Sequence, residues 1–251
     1  MNNLELETQL NALLKPHAIK DYCPNGLQIE GKAKVARVIT GVTACQALID
    51  AAIEKKADAI LVHHGYFWPG EPQVLRGMKY RRIKALMEHD INLYAYHLPL
   101  DVHSTLGNNV LLGEMLGIEL KAGMEQGKAV SIPLWGELEK AMTAEDFAKC
   151  IELKLARPPL LIKAGDHLIK RIGWCTGGAQ DYINLAAELG LDAFVSGEIS
   201  ERTTFSAREQ GVHYFAAGHH ATERCGIQAL GQWLAAEHSL EVEFVDIANP
   251  V

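Results

Sequence analysis

Three short stretches of this chain combine residues that bind metals and move protons. His63-His64, His97-Leu98-Pro99-Leu100-Asp101 and His219-His220-Ala221-Thr222-Glu223 offer imidazole nitrogens and carboxylate oxygens without a thiolate. That donor set suits borderline or moderately hard divalent ions: Zn, Fe, Mn, Co or Ni. Adjacent histidines on an extended backbone point to opposite sides, so a His-His pair can serve two ions, or one ion and its surroundings. The His219-x-x-x-Glu223 spacing places both groups on one side of a helix start, with the glutamate in the first turn. Carboxylates can bridge two ions a few ångströms apart, as in two-metal hydrolases. Protein ligands this few leave coordination positions for water or hydroxide, which points to catalysis rather than cross-linking.

Taken singly, each stretch has a plainer reading. A His-His pair is commonly surface or satisfied core, and Asp101 could simply organise the turn before a helix. Three such groups at three successive strand ends favour a metal site over coincidence. The other histidines have weaker claims. His17, His89, His167 and His238 lie in polar or helix-end settings and read as solvated, while His103 and His213 are either supporting or structural. The Cys175-Thr176-Gly177-Gly178-Ala179-Gln180 turn resembles a phosphate-cradling loop but lacks the GxGxxG spacing, so a tight βα turn is the simpler reading. Tyr66-Phe67-Trp68 follows the histidine pair and could stack on a heterocycle, pack in the core or meet a subunit.

The elements that position these residues alternate short apolar strands with helices. Strands are predicted at residues 35–42, 59–62 and 91–96, with helices at 44–55 and 78–89; the first helix opens on Thr43-Ala44-Cys45-Gln46, a capping-box pattern. The same alternation returns with strands at 169–174, 193–195, 212–217 and 242–246 and helices at 180–189, 201–210 and 222–237. Such βαβ units build a largely parallel sheet, whose ligands collect at the carboxyl ends of the strands. Placing residues 37–65 on 171–199, an offset of 134, makes seven of 29 positions identical, Arg37/Arg171 and Asp58/Asp192 among them. In this register His63-His64 faces Gly197-Glu198. An offset of 122 then sets His97 on His219 and Asp101 on Glu223. The pattern reads as a diverged internal duplication. Residues 121–127 read as the connection, so two similar α/β domains with mostly parallel sheets are expected at 1–124 and 125–251, with room for the terminal helix to pack on the first.

Composition bounds the rest. The chain has 251 residues, 24 Lys+Arg against 31 Asp+Glu for a net charge of −7, 48% hydrophobic and 22% charged residues. This is a soluble globular composition, and its acidity argues against nucleic-acid binding through phosphates. Five widely spaced cysteines form no C-x-x-C pair, and the first residues carry acid and no apolar leader core. A cytoplasmic protein without a membrane span is expected.

Val62-His63-His64-Gly65-Tyr66-Phe67-Trp68, His97-Leu98-Pro99-Leu100-Asp101 and Gly218-His219-His220-Ala221-Thr222-Glu223 resemble the family of GTP cyclohydrolase 1 type 2 homologs, dinuclear-metal proteins also described as interacting-factor-like. The resemblance extends through Asp21-Tyr22-Cys23-Pro24-Asn25-Gly26-Leu27-Gln28 and Ser196-Gly197-Glu198, and covers essentially the whole chain. It implies a two-domain α/β protein with a dinuclear site between the domains, two divalent ions per subunit and a toroidal homohexamer. The family's ligands carry over to His63, His64, Asp101, His219 and Glu223, with His97 beside them for proton transfer or orientation. The chain is the short form, without the long insert some members carry between the halves. The family name implies a hydrolase acting on a nucleotide or damaged purine; a non-enzymatic metal-binding ring that serves partners is the alternative.

Overall fold

The computed structural model describes residues 1–251. In chain order the elements are α1 (Asn3–Leu14), β1 (Gly26–Ile29), β2 (Arg37–Thr43), α2 (Gln46–Glu54), β3 (Ala59–His64), α3 (Gly77–Glu88), β4 (Asn92–Ala95), α4 (Leu98–Asp101), α5 (Asn108–Met115), β5 (Ile118–Gly123), β6 (Leu134–Met142), α6 (Ala144–Leu155), β7 (Leu160–Ile162), β8 (Ile169–Cys175), α7 (Ile183–Glu188), β9 (Ala193–Ser196), α8 (Glu201–Gln210), β10 (His213–Ala216), α9 (His219–Thr222), α10 (Arg224–His238) and β11 (Glu241–Phe244). They form an α/β protein with two sheets. No helix is long and apolar enough to cross a membrane.

Two compact units result: Met1–Leu100 with Gly226–Ile247, and Asp101–Cys225 with Ala248–Val251. Residues 121–123, read from the sequence as part of a connection, lie in β5, which pairs antiparallel with β6 in the second sheet. Only Ile118 of that strand is buried at its start, so its polar run resembled a linker.

In the first unit the sheet order is β1-β4-β3-β2-β11, with β4, β3, β2 and β11 parallel and β1 antiparallel at the edge. Strands buried on both faces read as continuous apolar runs, as parallel sheets require. Ile39, Ile60, Val62, Leu93 and Ala95 pack with Leu48, Ile49 and Ala52 of α2 and Ile83 and Leu86 of α3. The other face carries Tyr94 and Tyr96, whose hydroxyls donate to Asn3 O and Asn11 Oδ1 of α1, each at 2.8 Å. Helix α1 starts on a capping box, Asn2 with Glu5, and buries Leu6, Leu10 and Leu14, spaced by four along one stripe.

The second unit has the order β5-β6-β8-β9-β10-β7, with β8, β9 and β10 parallel. One face sets Ile172, Trp174, Val195 and Phe215 against α5 and α6. The opposite face sets Cys175, Phe194 and Tyr214 against Ile183 and Ala186 of α7 and Ala207 of α8. Gly113 of α5 is close-packed on the indole: a Cβ there would stand 2.5 Å from Trp174 Cζ2.

The two parallel cores share a register. Val38 pairs with Ala59 and Gly41 with Val62; Ile172 pairs with Ala193 and Cys175 with Ser196, the same offset of 134. Asp58 Oδ2 accepts the amides of Ala36 (2.8 Å) and Arg37 (2.9 Å), and Asp192 Oδ2 accepts those of Lys170 (2.9 Å) and Arg171 (2.7 Å). The carbonyls of both aspartates accept the first amide of the third strand, Asn92 and His213. In that third strand Asn92 and His213 both face the opening alanine of the second, an offset of 121, one less than the 122 that sets His97 on His219 beyond the strand. The missing residue is Gly218, at φ +99°, which lengthens the second-half turn by one before His219.

Candidate metal centre

In the first unit, His63 and His64 end β3 and His97 follows β4. Their rings meet: centroids lie 4.4 Å apart for His63 and His64, 5.2 Å for His63 and His97, and 5.8 Å for His64 and His97. Each can offer a ring nitrogen within 4.8 Å of the others. The adjacent histidines thus converge where alternation alone would send them apart. Their neighbours explain this: His63 donates through Nδ1 to Tyr96 O (2.9 Å) on the β4 side, and His64 Nδ1 bonds Thr43 Oγ1 (3.1 Å) on the β2 side. A carbonyl only accepts, so in neutral His63 the proton is on Nδ1 and the lone pair on Nε2. Thr43 does not cap α2 as expected. It stays in β2, its hydroxyl serves His64, and the helix starts instead after Cys45 without a side-chain cap.

His97 is held the same way. Its Nδ1 donates to Asp21 Oδ1 (3.0 Å), and its amide donates to Asn25 Oδ1 (2.8 Å). Asp21 also accepts from the amides of Leu98 (2.9 Å) and Tyr22 (2.7 Å) and from Asn25 Nδ2 (3.0 Å). Burial alone would raise the Asp21 pKa, but hydrogen bonds from His97 and Asn25 outweigh it and hold the carboxyl well below the usual range. Asp21, Cys23 and His97 place possible ligand atoms within 4.8 Å. With its oxygens taken up by four nitrogen donors, Asp21 is an anchor for His97 rather than a ligand.

The three aromatics after the pair have three different fates. Tyr66 is buried and donates to Ala44 O (2.7 Å). Phe67 is 40% exposed, with Lys79 Nζ 4.8 Å from its ring. Trp68 stands edge-on to His97, centroids 5.0 Å apart, and Tyr22 does the same from 5.1 Å.

In the second unit, Asp101 and Glu223 are buried carboxylates with oxygens within 4.8 Å of each other. Asp101 Oδ1 accepts from Asn108 Nδ2 (2.9 Å) and Thr176 Oγ1 (3.3 Å). Glu223 occupies the break between α9 and α10, where one long helix was expected, and its Oε2 lies 3.2 Å from His219 Nε2. The other nitrogen of His219, Nδ1, donates to Glu198 Oε1 at 2.6 Å. Burial would lower the His219 pKa, but Glu223 and Glu198 on either side push it up to about 9. The same crowding acts on Cys175, whose thiol is driven up by burial and then by Asp101 and Glu223. Gly177, at φ +69°, makes room: a Cβ there would stand 2.2 Å from Glu223 Oε1.

Four histidines are therefore tethered through Nδ1, and His63, His97 and His219 by acceptors that fix the proton there. Imidazole nitrogens in the first unit, and His219 Nε2 with buried carboxylates in the second, are donors of the kinds that suit a divalent ion. Among the remaining histidines, His213 accepts from Ala164 N (3.1 Å), donates to His167 O (3.1 Å) and stacks on the His167 ring at 4.0 Å. His103 accepts from Leu106 N (3.1 Å), and His220 donates its amide to Val251 O (3.1 Å). Residue types alone did not point to Thr43, Asn108, Thr176 or Glu198. For Glu198 a signal existed, since the 134 offset puts it opposite His64.

The family model described as Duf34/NIF3 (NGG1p interacting factor 3) matches residues 1–250. A Vibrio cholerae protein named GTP cyclohydrolase 1 type 2 homolog is 61% identical over 253 residues, covering 100% of both chains. An Escherichia coli K12 protein of the same name is 52% identical over 251 residues with the same coverage. Among solved structures, protein ybgI, described as of unknown function, superposes with a TM-score of 0.96 at 52% identity over 100% of both chains. TTHA1606 from Thermus thermophilus does so with a TM-score of 0.88 at 31% identity, again over 100% of both.

Proposed function

Because the chain belongs to the Duf34/NIF3 family, we propose that it is a dinuclear metal-dependent hydrolase acting on a nucleotide or damaged purine. In this reading His63, His64, Asp101, His219 and Glu223 hold two divalent ions per subunit and His97 transfers protons. The observation that carries it is electrostatic. Asp101 and Glu223 are buried side by side, and Glu223 and Glu198 stand on either side of the His219 ring. Buried like charges at that spacing are costly unless a cation joins them. The relatives' shared name supports a purine ring as the class of substrate.

Bound ions would supply Lewis acidity and ionise water near neutral pH. The chain's own residues do the rest. His97, its Nδ1–H held by Asp21, offers Nε2 as a proton acceptor and then donor. Trp68 and Tyr22 flank that ring and give a heterocycle aromatic surface to meet. The assembly in this reading is a toroidal homohexamer, checked by light scattering. A second reading, a metal-binding scaffold for partners, is favoured by residues 67–87, where Phe67, Val74, Leu75, Met78, Tyr80 and Met87 are all exposed.

Elemental analysis of protein purified without metal-affinity resin should find two equivalents of metal, and the His64→Ala/Glu223→Ala double variant should lose them. Full occupancy in that variant would overturn the ligand assignment. Metal-loaded protein should turn over a member of a nucleotide panel and loaded His97→Ala should not; no turnover by either selects the scaffold.

A further inference from the structure

Glu198 lies outside the proposed ligand set, yet its carboxylate stands 2.6 Å from one of those ligands, His219. We infer that Glu198 is a positioning residue that fixes the His219 ring, so that Nε2 faces Glu223 and the Nδ1–H is spent on Glu198. A carboxylate only accepts, so in the metal-free ring Nδ1 donates to Glu198 Oε1 (2.6 Å) and Nε2 to Glu223 Oε2 (3.2 Å). With the Nδ1–H kept on Glu198, Nε2 is the nitrogen left for a metal.

The backbone around Glu198 is built to hold that carboxylate in place. Its amide donates to Gly177 O (3.2 Å) and its carbonyl accepts from the Tyr214 hydroxyl, so the peptide is tied on both sides. Gly197 brings α9 close: a Cβ there would stand 2.6 Å from His219 Cα. The Glu198 side chain is 38% exposed, so this is no buried ion pair needed to close a core. The position is the register equivalent of His64. Where the first unit ends β3 on a ring, the second places, two residues past the end of β9, a carboxylate that steadies a ring. The first unit reaches the same device from elsewhere in the chain, with Asp21 on His97 Nδ1. One chemical arrangement made twice from non-equivalent residues points to selection for ring orientation. For its consequence on metal affinity the inference rests on the proposed metal centre; the ring orientation itself does not.

Zinc is the probe, being diamagnetic. Wild type, Glu198→Ala and Glu198→Gln are compared by competition against a chelator and by 15N-edited NMR of the histidine rings. Glu198→Ala should weaken zinc binding by about 10–100-fold, the range for losing the outer partner of a ligating histidine. It should also remove the slowly exchanging Nδ1–H signal that His219→Ala identifies. Glu198→Gln, whose amide oxygen still accepts, should recover most of the affinity. Unchanged zinc affinity in Glu198→Ala overturns the inference. So does a Glu198→Gln as weak as Glu198→Ala, which would make the effect one of charge. Circular dichroism shows that each variant is folded. A wild type that takes up no zinc refutes the metal centre instead, and the Nδ1–H signal of metal-free protein, kept or lost in Glu198→Ala, still decides the orienting bond.

Discussion

Alanine at Gly177 separates the cost of backbone strain from the cost of moving a proposed ligand. Gly177 has φ +69° and Gly211, which ends α8, has φ +70°. An alanine in this left-handed region costs about 1–2 kcal/mol at either position. At Gly211 a Cβ would meet nothing within 4 Å, so strain is the whole effect. At Gly177 it would stand 2.2 Å from Glu223 Oε1 and 3.0 Å from His219 Nε2. The carboxylate must withdraw by about 1 Å to reach van der Waals contact. A displacement of that size can cost about 100-fold in a site that depends on placement. Both variants should melt lower by about 2–8 °C. In chelator competition Gly211→Ala should bind zinc like the wild type, and Gly177→Ala about 100-fold more weakly. Equal zinc affinity in the two variants would refute the role given to the bare backbone at 177.

Three further outcomes follow from other contacts. Burial raises the Asp58 pKa, but Lys32 and the amides of Arg37 and Ala36 outweigh it, so the folded value lies below the ordinary one. The unfolded chain then takes up its proton first, and this stabilisation is complete above about pH 4 and lost as the pH falls further. Asp58→Ala should cost about 1–3 kcal/mol in urea melts at neutral pH, with a gap from wild type that narrows by about pH 3; a constant gap contradicts the linkage. Thr43→Val keeps the shape of an exposed residue but removes the hydroxyl on His64 Nδ1, and should weaken zinc binding by about 10-fold with no change in melting temperature. Gly113→Ala forces a methyl into the Trp174 indole and should destabilise by about 1–3 kcal/mol, seen as an earlier urea midpoint; an unmoved midpoint means that α5 shifts freely.

The parallel cores were legible because both faces of each strand are buried, which leaves unbroken apolar runs such as Ala59-Ile60-Leu61-Val62. Asp58/Asp192 and Arg37/Arg171 even set the common register, since these residues bond across the strand starts. The side chains proposed to bind metal were legible as residue types at strand ends. Their supports were not. Thr43 reads equally well as a helix cap, and Asp21 and Glu198 gain meaning only when the turn holding each lies beside a histidine from a later strand. Strand β5 escaped because an exposed antiparallel edge has the composition of a loop. The break at Glu223 escaped because the helix was read as starting at Thr222, with Glu223 inside its first turn.

Asp58 and Asp192 pin their strands at the amino ends, away from the side where His63-His64 and Gly197-Glu198 emerge. Each core is thus clamped at one rim and open to revision at the other. Residues at the open rim can be traded, imidazole for carboxylate, without a strand slipping and turning its apolar face outward. The two halves look like two outcomes of that freedom on one frame. The practical gain is for engineering: a histidine pair grafted at 197–198, or a Gly-Glu pair at 63–64, should alter what the rim binds while the layers beneath keep their packing.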